Sequence, residues 1–155
     1  LNLAWSAAAH AAAAVLGASE AAASPPGTCE RPADYALLAA QPPTTVLAIS
    51  NLGSPILVRT APRALAGPYH RNIVGNLLTL EALMGTAEQA RKVIDDNRIG
   101  LVAVCRGNGE TPLLTEPAPD GFLSMLTRAE PPGWLEKLPQ PAGEPLEIYR
   151  VRPQR

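Results

Sequence analysis

The sequence predicts an α/β fold in which helices cover both faces of a small mixed β-sheet. The main observation is Leu101–Cys105, an apolar run that fits a strand buried on both faces. Two shorter apolar runs, Val46–Ile49 and Ala64–Ala66, come earlier, and each is followed at once by a polar loop. The last segment, Leu146–Val151, nearly alternates apolar and charged residues, a pattern typical of a half-buried strand. We therefore expect parallel strands first and an antiparallel hairpin at the sheet edge last.

Length and charge limit the classes of function. The chain has 155 residues, enough for one domain with a proper core. Its 13 basic and 14 acidic residues leave it almost neutral with no basic run, which excludes nucleic acid as an expected partner. The two histidines and two cysteines lack the spacing of a metal site, so no metal and no cofactor is expected. Composition leaves open whether Cys29 and Cys105 form a disulfide or remain two thiols.

The N-terminal part is expected to lie outside the domain. Residues 1–24 contain twelve alanines and no proline, so helix is the regular structure they favour. Two interpretations stay open, a packed or solvent-facing helix and the end of a transmembrane helix. Ser24–Thr28 has the composition of a linker. We therefore divide the chain into a helix and linker over 1–28 and a single α/β domain over 29–155.

The helices and strands of the domain are predicted from apolar patterns and from residues that begin or end such elements. Paired prolines after Gln41 end a short helix over 35–40, and β-branched residues indicate a strand over 45–50. Pro55 suits the start of a brief helix, and the next strand covers 64–66. Asn72 is expected to cap a helix over 73–84, and Thr86 with Gln89 fits a capping box for the next helix.

The C-terminal part is predicted in the same way. Glycines and prolines over 106–119 indicate a loop, and Asp120 is expected to cap a helix. The strands 134–138 and 146–151, joined by a proline-containing turn, are expected to pair as the edge hairpin. The whole order describes a small three-layer, Rossmann-like sheet.

Polar side chains follow the first two strands where each strand ends. The carboxyl ends of parallel strands meet at one edge of a sheet, where ligands gather in α/β folds. The candidate ligand-binding residues are Asn51, Gly53, Ser54, Tyr69, His70, Arg71 and Asn72. His70 and Arg71 could contact an anion or acid, or could instead be tied up in structural hydrogen bonds and ion pairs. A lone Gly53 falls short of a dinucleotide fingerprint, and no nucleophile elbow is visible.

Three blocks of sequence resemble a known group of proteins. They are residues 29–39, residues 46–48 with 51–53, and the block Ala66–Asn72 that ends in Pro-Tyr-His-Arg-Asn. The blocks resemble the C-terminal soluble region of large multi-spanning membrane proteins of proteobacteria. Those proteins are similar in layout to the GT-C class of membrane glycosyltransferases. The resemblance covers residues 29–153.

The resemblance implies a location and a role. The chain would lie on the periplasmic side of the bacterial inner membrane, with residues 1–24 as the end of the last membrane helix. Because the periplasm is oxidising, a Cys29–Cys105 disulfide is favoured. The catalytic acid of GT-C enzymes lies elsewhere, so the chain is expected to lack activity alone. It would recognise an acceptor or a lipid-linked sugar, with His70 and Arg71 as candidate contacts and its own transmembrane region or the membrane surface as partner.

Two other interpretations remain. The chain could be an autonomous Rossmann-like module that binds a nucleotide or another anion near Asn51 and His70. It could also be a domain that only packs against a partner and has no ligand.

Overall fold

The computed structural model of the chain describes residues 27–154. The predicted Ala-rich helix lies outside the described residues, as do residues 24–26 of the predicted linker.

Five strands form one mixed sheet. They are β1 (Thr45–Leu47), β2 (Arg63–Ala64), β3 (Ile99–Cys105), β4 (Leu135–Lys137) and β5 (Leu146–Val151). Their order across the sheet is β2-β1-β3-β5-β4. β1 pairs in parallel with β2 and β3, whereas β5 pairs antiparallel with β3 and β4. The predicted mixed sheet is confirmed, with its parallel strands first and its C-terminal hairpin at the edge.

Short helices connect the strands. They are α1 (Ala36–Ala39), α2 (Gly53–Arg59), α3 (Ile73–Met84), α4 (Ala87–Asp96), α5 (Glu110–Thr115) and α6 (Phe122–Thr127), with 3₁₀ turns at Pro32–Tyr35 and Ser50–Leu52. The predicted capping box starts α4, where Thr86 Oγ1 accepts from the N–H of Gln89 and Gln89 Oε1 accepts from the N–H of Thr86. α3 packs against α4, α5 and α6.

Several predictions about local structure were wrong. Asp120 was expected to cap α6, but Gly121 occupies the N-cap position and no side chain caps this helix. β1 ends at Leu47 rather than residue 50, because the chain turns there into a 3₁₀ turn that leads to α2. β2 covers Arg63–Ala64 rather than 64–66. The expected loop 106–119 contains α5, in which Pro112 lies in the first turn, where a missing N–H breaks no helical hydrogen bond.

The core is centred on β3. Every residue of β3 is buried except Gly100, which is half-buried, so both faces of this strand are covered. The largest fully buried side chains include Tyr35, Phe122 and Tyr149. A disulfide joins Cys29 to Cys105 at the end of β3, with a Cα–Cα distance of 6.3 Å. It therefore fixes the start of the domain to the centre of the sheet.

One buried carboxylate, Glu147 on β5, is surrounded by cations. Arg106 donates to it from Nε at 2.8 Å, and Lys137 from the neighbouring strand donates as well. Burial alone would raise the pKa of Glu147, but the hydrogen bonds from Arg106 and Lys137 outweigh it and hold the pKa below its usual value.

Candidate functional site

The two polar loops predicted from the sequence lie side by side at the carboxyl edge of the parallel strands. Ser54 Oγ, in the first turn of α2, lies 2.9 Å from the hydroxyl of Tyr69 in the loop after β2. Gly53 allows this approach, because a Cβ at that position would overlap the carbonyl oxygen of Ala66. The structure thus brings the candidates after β1 together with those after β2.

A carboxylate of the chain itself occupies the turn after β1. Glu110, at the start of α5, accepts hydrogen bonds from the N–H groups of Ser50 at 3.2 Å and Asn51 at 2.6 Å, and from Ser50 Oγ at 2.7 Å. These are the N–H groups that an anion cradle at Asn51 would use. They already bind a negative charge. Sequence reasoning missed Glu110 because its segment was predicted to be a loop.

Buried Asn108 ties this edge together. Its Oδ1 accepts from Asn51 Nδ2 at 3.2 Å and from the N–H of Glu110 at 3.0 Å, and its Nδ2 donates to the carbonyl of Thr28 at 3.1 Å. The hydroxyl of buried Tyr35 donates to the carbonyl of Cys29 at 2.7 Å, and burial is the main reason that the pKa of Tyr35 is raised to about 12. The chain therefore enters the domain, at residues 27–29, on the same edge as the polar loops.

The loop Tyr69–Asn72 has a fixed backbone and exposed side chains. Asn72 was expected to cap α3 with its side chain, but Asn72 Nδ2 instead donates to the carbonyl of Leu65 at 2.9 Å. Tyr69, His70 and Arg71 are exposed. Within residues 27–154, the side chains of His70 and Arg71 form no hydrogen bond or ion pair. The structure therefore holds the backbone of this loop in place and leaves the imidazole of His70 and the guanidinium of Arg71 available to bind a ligand.

An exposed apolar surface begins directly after this loop. α3 has no charged residue before Glu81, and one side of it faces outward. We call this side the outer face of α3; its residues are Ile73, Val74, Leu77 and Leu80, each at least 40% exposed. The opposite side, with Ala82 and Leu83, is buried in the core. A helix with apolar residues on its exposed side as well as on its buried side has a surface suited to a further partner.

A comparison with solved structures identifies the fold. The chain is similar to the C-terminal globular domain of the oligosaccharyltransferase AfAglB-S2 from Archaeoglobus fulgidus, with a TM-score of 0.56 and 14% sequence identity. The match covers 77% of this chain and 92% of that domain. The chain shares the fold of that domain. No protein-family model and no curated protein sequence matches.

The likeness to the AfAglB-S2 domain concerns the fold alone at this level of identity. The chemistry of the site must come from this chain's own residues. Within residues 27–154, no three histidine, cysteine, aspartate or glutamate side chains group as metal ligands would. Over the same range, none of the helices has both the length and the apolar character needed to cross a bilayer.

Proposed function

We propose that this chain is a non-catalytic domain of a membrane-embedded glycosyltransferase-like protein and that it recognises an acceptor or a lipid-linked sugar. The recognition site is the loop Tyr69–Asn72. The domain works on the periplasmic side of the bacterial inner membrane and has no cofactor.

The arrangement of the loop is the observation that carries this proposal. Its backbone is anchored through Asn72, whose side chain donates to the carbonyl of Leu65. The side chains of Arg71 and His70 form no hydrogen bond within residues 27–154. Arg71 can donate two parallel hydrogen bonds to a phosphate or carboxylate, as the pyrophosphate of a lipid-linked sugar or an acidic acceptor would require. The shared fold with an oligosaccharyltransferase domain supports the same assignment.

Two features support a position beside a membrane. The described chain starts at residues 27–29 against Asn108 and Cys105, at the same edge of the sheet as the loop Tyr69–Asn72. The outer face of α3 starts at the same edge and offers apolar residues next to an arginine and a tyrosine, a composition that suits the bilayer interface. The disulfide is in keeping with an oxidising compartment.

The structure argues against one of the two other interpretations and favours the other. A nucleotide or anion module would use the N–H groups after β1, and Glu110 already engages them. A domain that only packs against a partner is favoured by the outer face of α3. The experiment below therefore has to separate recognition from packing.

Transfer of sugar by the complete membrane protein tests the proposal. We expect Arg71→Ala and His70→Ala to lower transfer, the former by about ten-fold or more, because a charge-assisted hydrogen bond is lost. Arg63→Ala is the matched control, since Arg63 is an exposed arginine at the amino end of β2, on the opposite edge. Normal expression and unchanged transfer in both loop variants would exclude recognition by this loop and leave packing.

A further inference from the structure

A second candidate site lies at the edge of the sheet opposite the loop Tyr69–Asn72. It is a pocket of about 480 Å³ between the end of α4, the start of β3 and the end of β5. Three arginines, Arg91, Arg98 and Arg152, line it together with one acid, Asp95. None of these four residues was a candidate from the sequence.

The charges around this pocket do not cancel. Asp95 is the only acid in the lining, and its Oδ2 accepts from both Arg91 Nε at 2.8 Å and Gln154 Nε2 at 3.2 Å. Arg152 Nε lies 3.7 Å from the carboxylate of Glu136, which is too far for a hydrogen bond. The lining therefore has an excess of positive charge, and a cleft of one sign raises the local concentration of the opposite ion.

Arg91 offers a donor that is already fixed in place. Its side chain is only 12% exposed, Nη1 donates to the carbonyl of Arg152 at 3.0 Å, and the guanidinium lies over the ring of Trp134. Nη2 forms no hydrogen bond in the described part of the chain. In that part, the fully buried side-chain nitrogen and oxygen atoms without a partner are those of Thr79 and Gln140, so Nη2 is open to solvent. It can donate to a ligand while the rest of the guanidinium stays held.

Arg98 has a strained backbone and a side chain without a partner. It follows the C-cap residue of α4 with a φ of 52°, in the left-handed region that favours glycine. A cation near the end of a helix is favourable, but an arginine inside the last turn would provide it without this strain. The Arg98 side chain is exposed and forms no hydrogen bond or ion pair within residues 27–154. Strain at a residue that holds no structural contact favours a functional role.

These donors select the chemical class of the ligand. Guanidinium groups match the oxygens of phosphate and carboxylate, and a cation would be repelled. A water molecule could accept one of the hydrogen bonds, but only an anion removes the repulsion between the arginines. The volume lies within the ~300–1,000 Å³ of small-molecule pockets, so the ligand can be larger than the oxyanion itself. Buried Ile99 and half-buried Val151 add apolar walls.

We propose that this pocket binds the phosphate or carboxylate group of a small organic anion. Arg91 Nη2 and the Arg98 guanidinium donate to its oxygens, and Arg152 adds positive charge. Ile99 and Val151 contact the rest of the molecule. This site does not rest on the proposed function.

Titration of the complete 155-residue chain, followed by amide NMR, tests the pocket. The probes are glycerol phosphate, glycerate and glycerol, which share one carbon skeleton, at an ionic strength held constant with sodium chloride. We expect saturable shifts in the millimolar range at residues 91–99 and 151–154 with one or both anions, and none with glycerol. Tighter binding of glycerol phosphate identifies a phosphorylated ligand, and tighter binding of glycerate a carboxylated one. The same shifts with sodium chloride alone, or no saturable shifts at these residues, would overturn the proposal.

Variants at Arg98 connect the shifts to the pocket. Arg98→Gly removes the guanidinium and suits the left-handed backbone, so we expect binding about ten-fold weaker with a melting temperature no lower than that of the wild type. Arg59→Gln is the control with the same change in charge, because Arg59 is an exposed arginine at the end of α2, outside the pocket. Wild-type binding by Arg98→Gly, or an equal loss in Arg59→Gln, would contradict the assignment.

The positions of the shifts separate this pocket from the loop Tyr69–Asn72. Arg71 can also bind an oxyanion under the proposed function, so shifts at residues 69–72 alone would remove the pocket and leave the proposed function unaffected. Shifts at the pocket together with unchanged sugar transfer in Arg71→Ala would do the reverse. The mapping in the unmodified chain decides the question even if a variant does not fold.

Discussion

The two halves of the molecule differ in whether their surface side chains contact other side chains of the domain. Around β5 and α4, most of the charged side chains have partners: Glu147 binds Arg106 and Lys137, and Arg91 pairs with Asp95 at 2.8 Å. Around β2 and α3, the side chains of His70 and Arg71 form no contact of this kind within residues 27–154, and four large apolar side chains of α3 face outward.

The two consecutive helices make the difference clear. α4 has a capping box, pairs charges four residues apart and buries only Ala90, Val93 and Ile94, as a solvent-facing helix does. α3 has neither a side-chain cap nor an ion pair on its outer face. The half that contains α4 pairs most of its surface charges, whereas the half that contains α3 leaves large apolar side chains exposed.

Alanine substitutions on the two sides of α3 give the largest expected contrast. Leu83 is 1% exposed, so Leu83→Ala should lower the free energy of unfolding by about 2–5 kcal/mol. Leu77 is 61% exposed, so Leu77→Ala should change it by no more than about 0.5 kcal/mol. Urea denaturation of the complete chain measures both. Equal losses would mean that the outer face is already covered within this chain, and the contrast between the halves would then be wrong.

A substitution at Glu147 tests the half of the molecule that contains α4 and β5, and we expect an intermediate effect on the free energy of unfolding. Glu147→Gln should cost about 1–3 kcal/mol at pH 7, because charge-assisted hydrogen bonds are lost. The pKa of Glu147 is lowered on folding, so its contribution is present above the unfolded value of 4.5 and is lost as pH falls through the folded value. The difference in the free energy of unfolding between wild type and variant should therefore narrow as the pH falls below 4.5. A gap that stays constant from pH 7 to pH 3 would contradict the proposed ion cluster.

Binding to lipid vesicles tests what covers the outer face, with the smallest expected effect. Leu77→Glu should weaken co-sedimentation with vesicles of phosphatidylcholine and phosphatidylglycerol by about ten-fold, because a leucine side chain loses its apolar burial. Val58→Glu is the matched control, since Val58 is 81% exposed near the end of α2 that lies at the opposite edge. Equal binding by both variants would point to a protein partner instead of the bilayer.

The sequence predicted the sheet well because its signals were local. Three signals depend only on residues close in sequence: the apolar run of β3, the capping box at the start of α4, and the near alternation of apolar and charged residues in β5. It also predicted that the loops after β1 and β2 would meet. It could not predict the engagement of Asn51 by Glu110, because this contact depends on α5, which lies in a segment whose glycines and prolines resemble a loop.

Asn72 illustrates the same limit on a single residue. Asn72 occupies the N-cap position of α3, as predicted. Its side chain, however, donates to the carbonyl of Leu65, seven residues earlier, instead of bonding to the first turn of the helix. A local pattern cannot distinguish these two partners, since both lie within reach of an asparagine placed there.

The disulfide at Cys29 has a mechanical consequence. The chain is pinned to the middle strand within two residues of Gly27, by a covalent bond and by the grip of Asn108 on Thr28. The first described residues, Gly27 to Cys29, are thus held against the end of the central strand. Reduction of the disulfide would leave the hydrogen bonds from Asn108 to the carbonyl of Thr28 and from Tyr35 to the carbonyl of Cys29 as the remaining attachments of this segment.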